Sequence, residues 1–215
     1  MTITVAIYLF KNIEVLDFAG PFEVFTTASR VSLRLSPDKS APFKVITVAK
    51  GIDPVQARAG LKVLPDFSIH NCPNIDLLLV PGGVVEEEMN DAQVVEWIRN
   101  TASTAKITSS VCTGSFLLAR AGLLHRKKAT THWEDIADLR AQFPEVLVQD
   151  GVRWVDEGHI VSSAGIAAGI DMSIHLVARL AGSRLAEATA KQMDVPYRSE
   201  AQPPVADDAH EGARA

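Results

Sequence analysis

An open, mostly parallel α/β sheet covered by helices on both faces is the fold class this sequence predicts, and three observations predict it. Short runs rich in Val, Ile and Leu recur without polar alternation, as strands buried on both faces require. Stretches with helical patterning separate them, the order that builds parallel pairs through crossovers. Turns containing Gly, Pro or Cys leave several of these runs, and in such sheets ligands gather at the carboxyl ends of the strands.

Taken in order, Thr2–Phe10 (TITVAIYLF) is the first strand. A loop through Lys11–Asp17 follows, and Gly20-Pro21 opens a helix to about Arg34, with proline at a first-turn position that tolerates it. Phe43–Ala49 is the second strand, and Val55–Val63, with Gly60 between two extended stretches, is a small hairpin or edge ribbon. Asp76–Val80 is a short buried strand ended by Pro81-Gly82-Gly83. A helix from about Glu86 to Ala102 carries Val94, Val95 and Ile98 on its apolar stripe. Lys106–Val111 is the next strand, followed by Cys112 and a helix Gly114–Ala121 stopped by Gly122. In the second half, Trp133–Gln142 is helical, Val146–Gln149 and Val152–Asp156 form a strand pair, and His159–Ser162 is a last short strand. A helix from about Ile166 to Leu180 follows it. There is no repeat and no internal linker, so one domain is expected over residues 1–198. A flexible tail is expected over 199–215, rich in Ala, Pro, Asp and Glu.

Composition narrows the function classes. The 215 residues suffice for one sizeable core. Lys and Arg number 21 against 26 Asp and Glu, a net charge of −5, and the longest basic run is Arg126-Lys127-Lys128. No nucleic-acid partner is expected from such a balance. No apolar run approaches the roughly 20 residues of a membrane span, so no membrane partner is expected either. The opening MTITVAIYLF lacks a basic n-region and a small-residue cleavage site, and two cysteines, Cys72 and Cys112, suit a reducing compartment. A cytoplasmic single domain whose function must be read from its motifs is the expectation.

Cys112 is the leading candidate for chemistry. Ser110-Val111-Cys112-Thr113-Gly114 stands between a buried strand and a helix, with the outline of a nucleophile elbow that carries sulfur in place of hydroxyl. Small residues at 110 and 114 leave room for the sharp turn. The helix end favours a thiolate, and the free N–H groups near Thr113 and Gly114 suit an oxyanion. The competing reading is a small buried cysteine at a tight turn. Asp17, flanked by apolar residues in Val15-Leu16-Asp17-Phe18-Ala19-Gly20-Pro21, is the candidate acid, because desolvation raises a carboxyl pKa. A helix N-cap is the equal alternative for it. Of six histidines, His132 in Ala129-Thr130-Thr131-His132-Trp133 stands out, with a structural or capping role favoured and a supporting place behind the site at most. Asp171, His175 and Arg179 recur every fourth residue, an ion-pair face on the last helix. Cys72 and His70 lack the further ligands a metal site needs.

Together the Asp17 loop, Pro81-Gly82-Gly83, Ser110–Ser115, Ala129–Trp133 and Ala168-Gly169-Ile170-Asp171 resemble the ThiJ/PfpI superfamily over roughly residues 2–195. Within it the similarity is to the isocyanide hydratases and to the amidotransferase-like domains of AraC-type regulators. The resemblance implies a flavodoxin-like three-layer sandwich, a homodimer, no cofactor and no metal. It matches Cys112 to the nucleophile and Asp17 to the acid that contacts it. Thr113 matches the residue after the nucleophile, Gly82 and Gly83 the backbone donors opposite the sulfur, and Ile166 a backbone N–H facing the substrate pocket. Two features of other branches are absent: Thr113 replaces a histidine after the cysteine, and Ser163-Ala164-Gly165-Ile166 lacks a catalytic histidine with its acid. Ser163 and Ala164 also stand where isocyanide hydratases tend to have glycines.

What this implies is hydration of an isocyanide to an N-formamide through a Cys112 adduct, with Asp17 as general acid and base. The alternative is a stand-alone ligand- or redox-sensing domain without turnover. Glyoxalase chemistry is the weaker third reading, because it leans on a glutamate at the acid position and often a histidine near the sulfur.

Overall fold

The computed structural model describes residues 2–201. In chain order its elements begin with β1 (Ile3–Leu9), α1 (Val15–Leu35), β2 (Phe43–Ala49), β3 (Val55–Gln56), β4 (Lys62–Val63), β5 (Phe67–Ser68) and β6 (Leu77–Val80). Then come α2 (Glu86–Met89), α3 (Ala92–Thr104), β7 (Ile107–Val111), α4 (Gly114–Arg120), β8 (Lys128–Ala129), α5 (Ile136–Gln142) and β9 (Leu147–Val148). β10 (Trp154–Asp156), β11 (Ile160–Ser163), α6 (Ala168–Ala181) and α7 (Ser183–Met193) complete the order.

The central sheet runs β10-β11-β7-β6-β1-β2-β5. Every neighbouring pair is parallel except β10 with β11. Ile7 of β1 pairs with Thr47 on one side and Leu79 on the other, which fixes the register at the middle of the sheet. Leu77–Val80 and Val5–Tyr8 are wholly buried, as strands covered on both faces must be. Helices α1, α6 and α7 pack on one another as one layer, and α2, α3 and α4 as another. This is the three-layer α/β sandwich expected, and among the described residues no helix is long and apolar enough to cross a membrane.

Several elements depart from the sequence reading for local reasons. α1 begins at Val15 rather than near Gly20, so Asp17 lies in its first turn and Pro21 lies inside it. The loop is short because residues 12–14 zip onto the turn after β6. Glu14 N–H donates to the Gly82 carbonyl at 2.9 Å, Val84 N–H to the Asn12 carbonyl at 3.2 Å, and Ile13 bridges Gly83. Pro21 has no N–H to donate to the Asp17 carbonyl one turn back. The helix expected over 86–102 is two, because the Asp91 carboxylate caps a new start, accepting from Gln93 N at 3.0 Å and Val94 N at 3.4 Å. The pair expected between 146–149 and 152–156 does not form. β9 pairs with β8 and β10 with β11, the chain having turned at Gly151 with φ +69°. The acid–base stripe on α6 does not pair along the helix. His175 Nε2 lies 2.7 Å and Arg179 Nη1 2.8 Å from Asp156 Oδ2, while Asp171 pairs with Arg153. β5 and β8 span two residues each, and α7 is too polar for its stripe to stand out. Most of the expected tail, residues 202–215, lies outside the described residues.

Close approach of the elbow to the sheet depends on Gly114. A Cβ there would run into the Val80 carbonyl oxygen and meet the Pro81 carbonyl oxygen at 2.7 Å, backbone that has nowhere to go. Gly114→Ala is therefore expected to lower stability by ~3 kcal/mol, read as a drop in the urea midpoint at unchanged slope. An unchanged midpoint would show that this contact is not tight.

Candidate active site

Strands β11, β7, β6 and β1 are neighbours and parallel, so their carboxyl ends bring four chain segments to one place. These are the turn at Gly165-Ile166, the elbow at Cys112-Thr113, the Pro81-Gly82-Gly83 turn and the first turn of α1 with Asp17.

Cys112 has φ +55°, a left-handed backbone that a residue with a Cβ adopts only under compulsion. Such strain costs roughly 1–3 kcal/mol and persists where the surroundings over-determine it. Here they do. Its N–H donates to the Ser163 carbonyl at 3.2 Å. Its carbonyl accepts from Thr131 Oγ1 at 2.9 Å, Ser115 Oγ at 3.1 Å and Ser115 N at 3.2 Å. The residue is 8% exposed, and that remnant opens on a cavity of about 240 Å³ lined also by Glu14, Arg58, Thr113, His132, Asp135 and Ile166.

Asp17 is wholly buried beside the sulfur. Its Oδ2 accepts the Gly82 N–H at 3.1 Å, and the carboxyl stands close enough to Cys112 for each group to bear on the other's ionisation. Oδ1 has no hydrogen-bond partner among the described residues. Burial pushes the Asp17 carboxyl up to about 7, against the pull of the Gly82 amide. Burial first, and the Asp17 charge second, push the Cys112 thiol up to about 12. The expectation of a sulfur already ionised at the helix end is thus corrected. The Thr113 N–H and hydroxyl favour the thiolate, but burial and the neighbouring acid outweigh them. The two groups titrate as a unit that gives up one proton near neutrality and holds the second.

The other expected residues divide. Gly82 and Gly83 stand beside the elbow, but their amides are committed: Gly82 N–H to Asp17, Gly83 N–H to Thr113 Oγ1 at 2.9 Å. Neither is a spare donor facing the sulfur, so that expectation is corrected too. Thr113 Oγ1 returns a bond to the Gly83 carbonyl at 2.9 Å and so rivets the elbow to the neighbouring turn. Ile166 lines the cavity. His132 does as well, on the same cavity as Cys112. A Cβ on Gly165 would overlap the His132 ring at its Cδ2 edge and meet Cys112 Sγ at 3.0 Å, so both side chains close on that glycine. His132 Nδ1 lies 3.5 Å from Glu134 Oε2 and 3.6 Å from Asp135 Oδ2.

Sequence reasoning missed Glu14, Arg58, Glu134 and Asp135. Arg58, on the turn between β3 and β4, reaches Glu14 Oε2 at 2.9 Å across 44 residues of chain, and no local pattern announces such a pairing. Cys72 is half-buried and does not line the cavity. Among the described residues no group of three His, Cys, Asp or Glu side chains is gathered to hold a metal ion.

The sequence matches the DJ-1/PfpI family over residues 3–179. The chain belongs to that family. The isonitrile hydratase of Pseudomonas putida is 34% identical over 195 residues, which cover 90% of this chain and 79% of that protein. The HTH-type transcriptional regulator GbdR of Pseudomonas aeruginosa is 29% identical over 188 residues. Those residues are 87% of this chain but only 49% of the regulator, so the chain spans about half of that relative. The crystal structure of a ThiJ/PfpI family protein from Pseudomonas syringae superposes with a TM-score of 0.79 at 28% identity, covering 97% of this chain and 80% of that one. The flavodoxin-like architecture expected of a DJ-1/PfpI member is the one found.

A buried acid whose folded pKa stands above its ordinary value binds its proton more tightly when folded. Its contribution to stability is therefore present at low pH and lost as pH rises toward about 7. Asp17→Asn carries no such penalty. It is expected to be more stable than wild type at pH 8, by up to ~4 kcal/mol at about 1.4 kcal/mol per pKa unit, and the difference should close near pH 4. The same substitution should bring the Cys112 ionisation down, read from thiolate absorbance at 240 nm. A thiol that titrates unchanged would show that the acid does not act on it.

Proposed function

We propose that this DJ-1/PfpI member is a cofactor-independent, cysteine-dependent lyase that hydrates isocyanides to N-formamides. The observation carrying the reading is the Asp17–Cys112 pair, in which a wholly buried carboxyl stands beside a thiol at the wall of a small cavity. The 34% identity to an isonitrile hydratase supports it.

The chemistry follows from where the proton can go. As the sulfur attacks the terminal carbon of R–N≡C, its proton passes to Asp17, and Asp17 delivers it to the same carbon. The product is a thioimidate, R–N=CH–S–Cys112. Water then adds to that carbon with Asp17 taking and returning a proton, so that the nitrogen gains one hydrogen. Collapse to R–NH–CHO expels the sulfur, which recovers its proton. One water is consumed and nothing is oxidised. A carboxyl whose pKa lies near neutrality is matched to give and take a proton at each step. Ile166 borders the space the substituent R would occupy, and Thr113 holds the elbow in register. A homodimer, implied by the resemblance, belongs to this proposal.

The competing reading is a sensor that uses the same cysteine without turnover, which the regulator relative motivates. The raised thiol weighs against a redox sensor, because oxidation by peroxide proceeds through the thiolate, and leaves a ligand sensor untouched.

Purified protein given an aryl or alkyl isocyanide is expected to release the corresponding formamide. Cys112→Ala should abolish this, and Asp17→Asn should lower kcat by roughly 100- to 10,000-fold. Absence of formamide, or its persistence in Cys112→Ala, would sink the proposal. Sulfinic acid at Cys112 after mild peroxide, with no turnover, would favour the sensor.

A further inference from the structure

The cavity over Cys112 is unevenly charged. Its lining holds three carboxylates, Glu14, Glu134 and Asp135, against the guanidinium of Arg58 and the imidazole of His132. Arg58 is answered locally, with Nη1 2.9 Å from Glu14 Oε2. His132 faces the other two carboxylates through Nδ1. Even with His132 counted as a cation, the lining keeps one net negative charge. The Asp17–Cys112 pair adds its own beneath, and Glu86 and Asp138 lie close enough to bear on Asp135. A second observation points the same way. Asp17 Oδ1, on a wholly buried side chain next to Cys112, is an acceptor with no partner among the described residues. The backbone amides of Gly82 and Gly83 beside the elbow are already spent.

We propose that this site selects its small-molecule substrate by charge, admitting neutral and cationic compounds and rejecting those that carry a carboxylate or another anion. A recess with low-dielectric walls focuses such a field and screens it less than open solvent does. The chemical class of the substrate rests on the hydratase reading; the charge of the recess does not.

The test therefore has two arms on the full chain. The first measures labelling of Cys112, resolved from Cys72 by peptide mass analysis, with two methanethiosulfonates of opposite charge: the trimethylammonioethyl and the sulfonatoethyl reagent. Each forms a mixed disulfide and releases methanesulfinate. The ratio of cationic to anionic rate is compared with that of 2-mercaptoethanol, which cancels the thiol's own reactivity. We expect the ratio at Cys112 to be about ten-fold or more above the reference. It should fall several-fold in the double variant Glu134→Gln/Asp135→Asn and shrink with added salt. A ratio at or below the reference overturns the proposal, and would mean that Arg58 leaves Glu14 to receive anions. The second arm compares kcat/KM for cyclohexyl isocyanide, a trimethylammoniopropyl isocyanide and isocyanoacetate. Isocyanoacetate should be at least ten-fold the poorest; equal or better turnover of it overturns charge selection. If none of the three reacts, the hydratase reading fails and the labelling ratio still decides the charge of the site.

Discussion

Two acids placed side by side in a space that water barely reaches cannot both be charged, and the Asp17–Cys112 pair is arranged so that they are not. Burial would by itself quiet both groups. Their proximity converts that cost into a single mobile proton, held near neutrality by the carboxyl and out of reach on the sulfur until a reaction draws it across. The scaffold's work is to keep this arrangement from relaxing. Rotation of Cys112 to an ordinary backbone angle would carry the sulfur away from the acid. The four hydrogen bonds on its amide and carbonyl, from three separate stretches of chain, resist that rotation.

The same logic explains why so much hydrogen bonding at the strand ends goes to neighbouring turns rather than to open space. Gly82 is spent on Asp17, Gly83 on Thr113, and Glu14 N–H on the Gly82 carbonyl. The β1, β6 and β7 turns are thereby fastened into one rigid rim, on which the acid and the thiol are set from different strands. The cost is that the rim keeps no backbone donor for a developing oxyanion at Gly82 or Gly83. This fits a reaction in which the substrate carbon needs a proton more than its product oxygen needs a cradle.

Much of this was legible in the sequence, and unevenly so. β1 and β6 announced themselves because strands buried on both faces must be apolar almost throughout, and Cys112 stood out because small residues two positions either side are what a sharp strand-to-helix turn needs. Asp17 was legible as a desolvated acid but was misplaced in a loop, since the bonds that draw the start of α1 forward come from Gly82 and Val84, some 70 residues away. The committed amides of Gly82 and Gly83 were hidden for the same reason. The place of His132 in the cavity was not legible, because it depends on Gly165, which nothing near residue 132 reveals. The charged lining was the least readable of all: Arg58 and Glu14 meet only because the β3–β4 hairpin folds back over the first turn. Two-residue strands such as β8 and β9 carry too little pattern to be read at all.

The sheet itself ends in a telling way. Its two outermost members are β5, with only Phe67 and Ser68 in the ladder, and β10, three residues long and reversed in direction. An unpaired border of that length offers another chain hardly one repeat of hydrogen bonding, and a reversed member denies it a parallel template. The apolar strands β1 and β6 lie inside the sheet with a partner on each side, so the hydrogen-bonding capacity they could lend a neighbour is capacity it cannot reach.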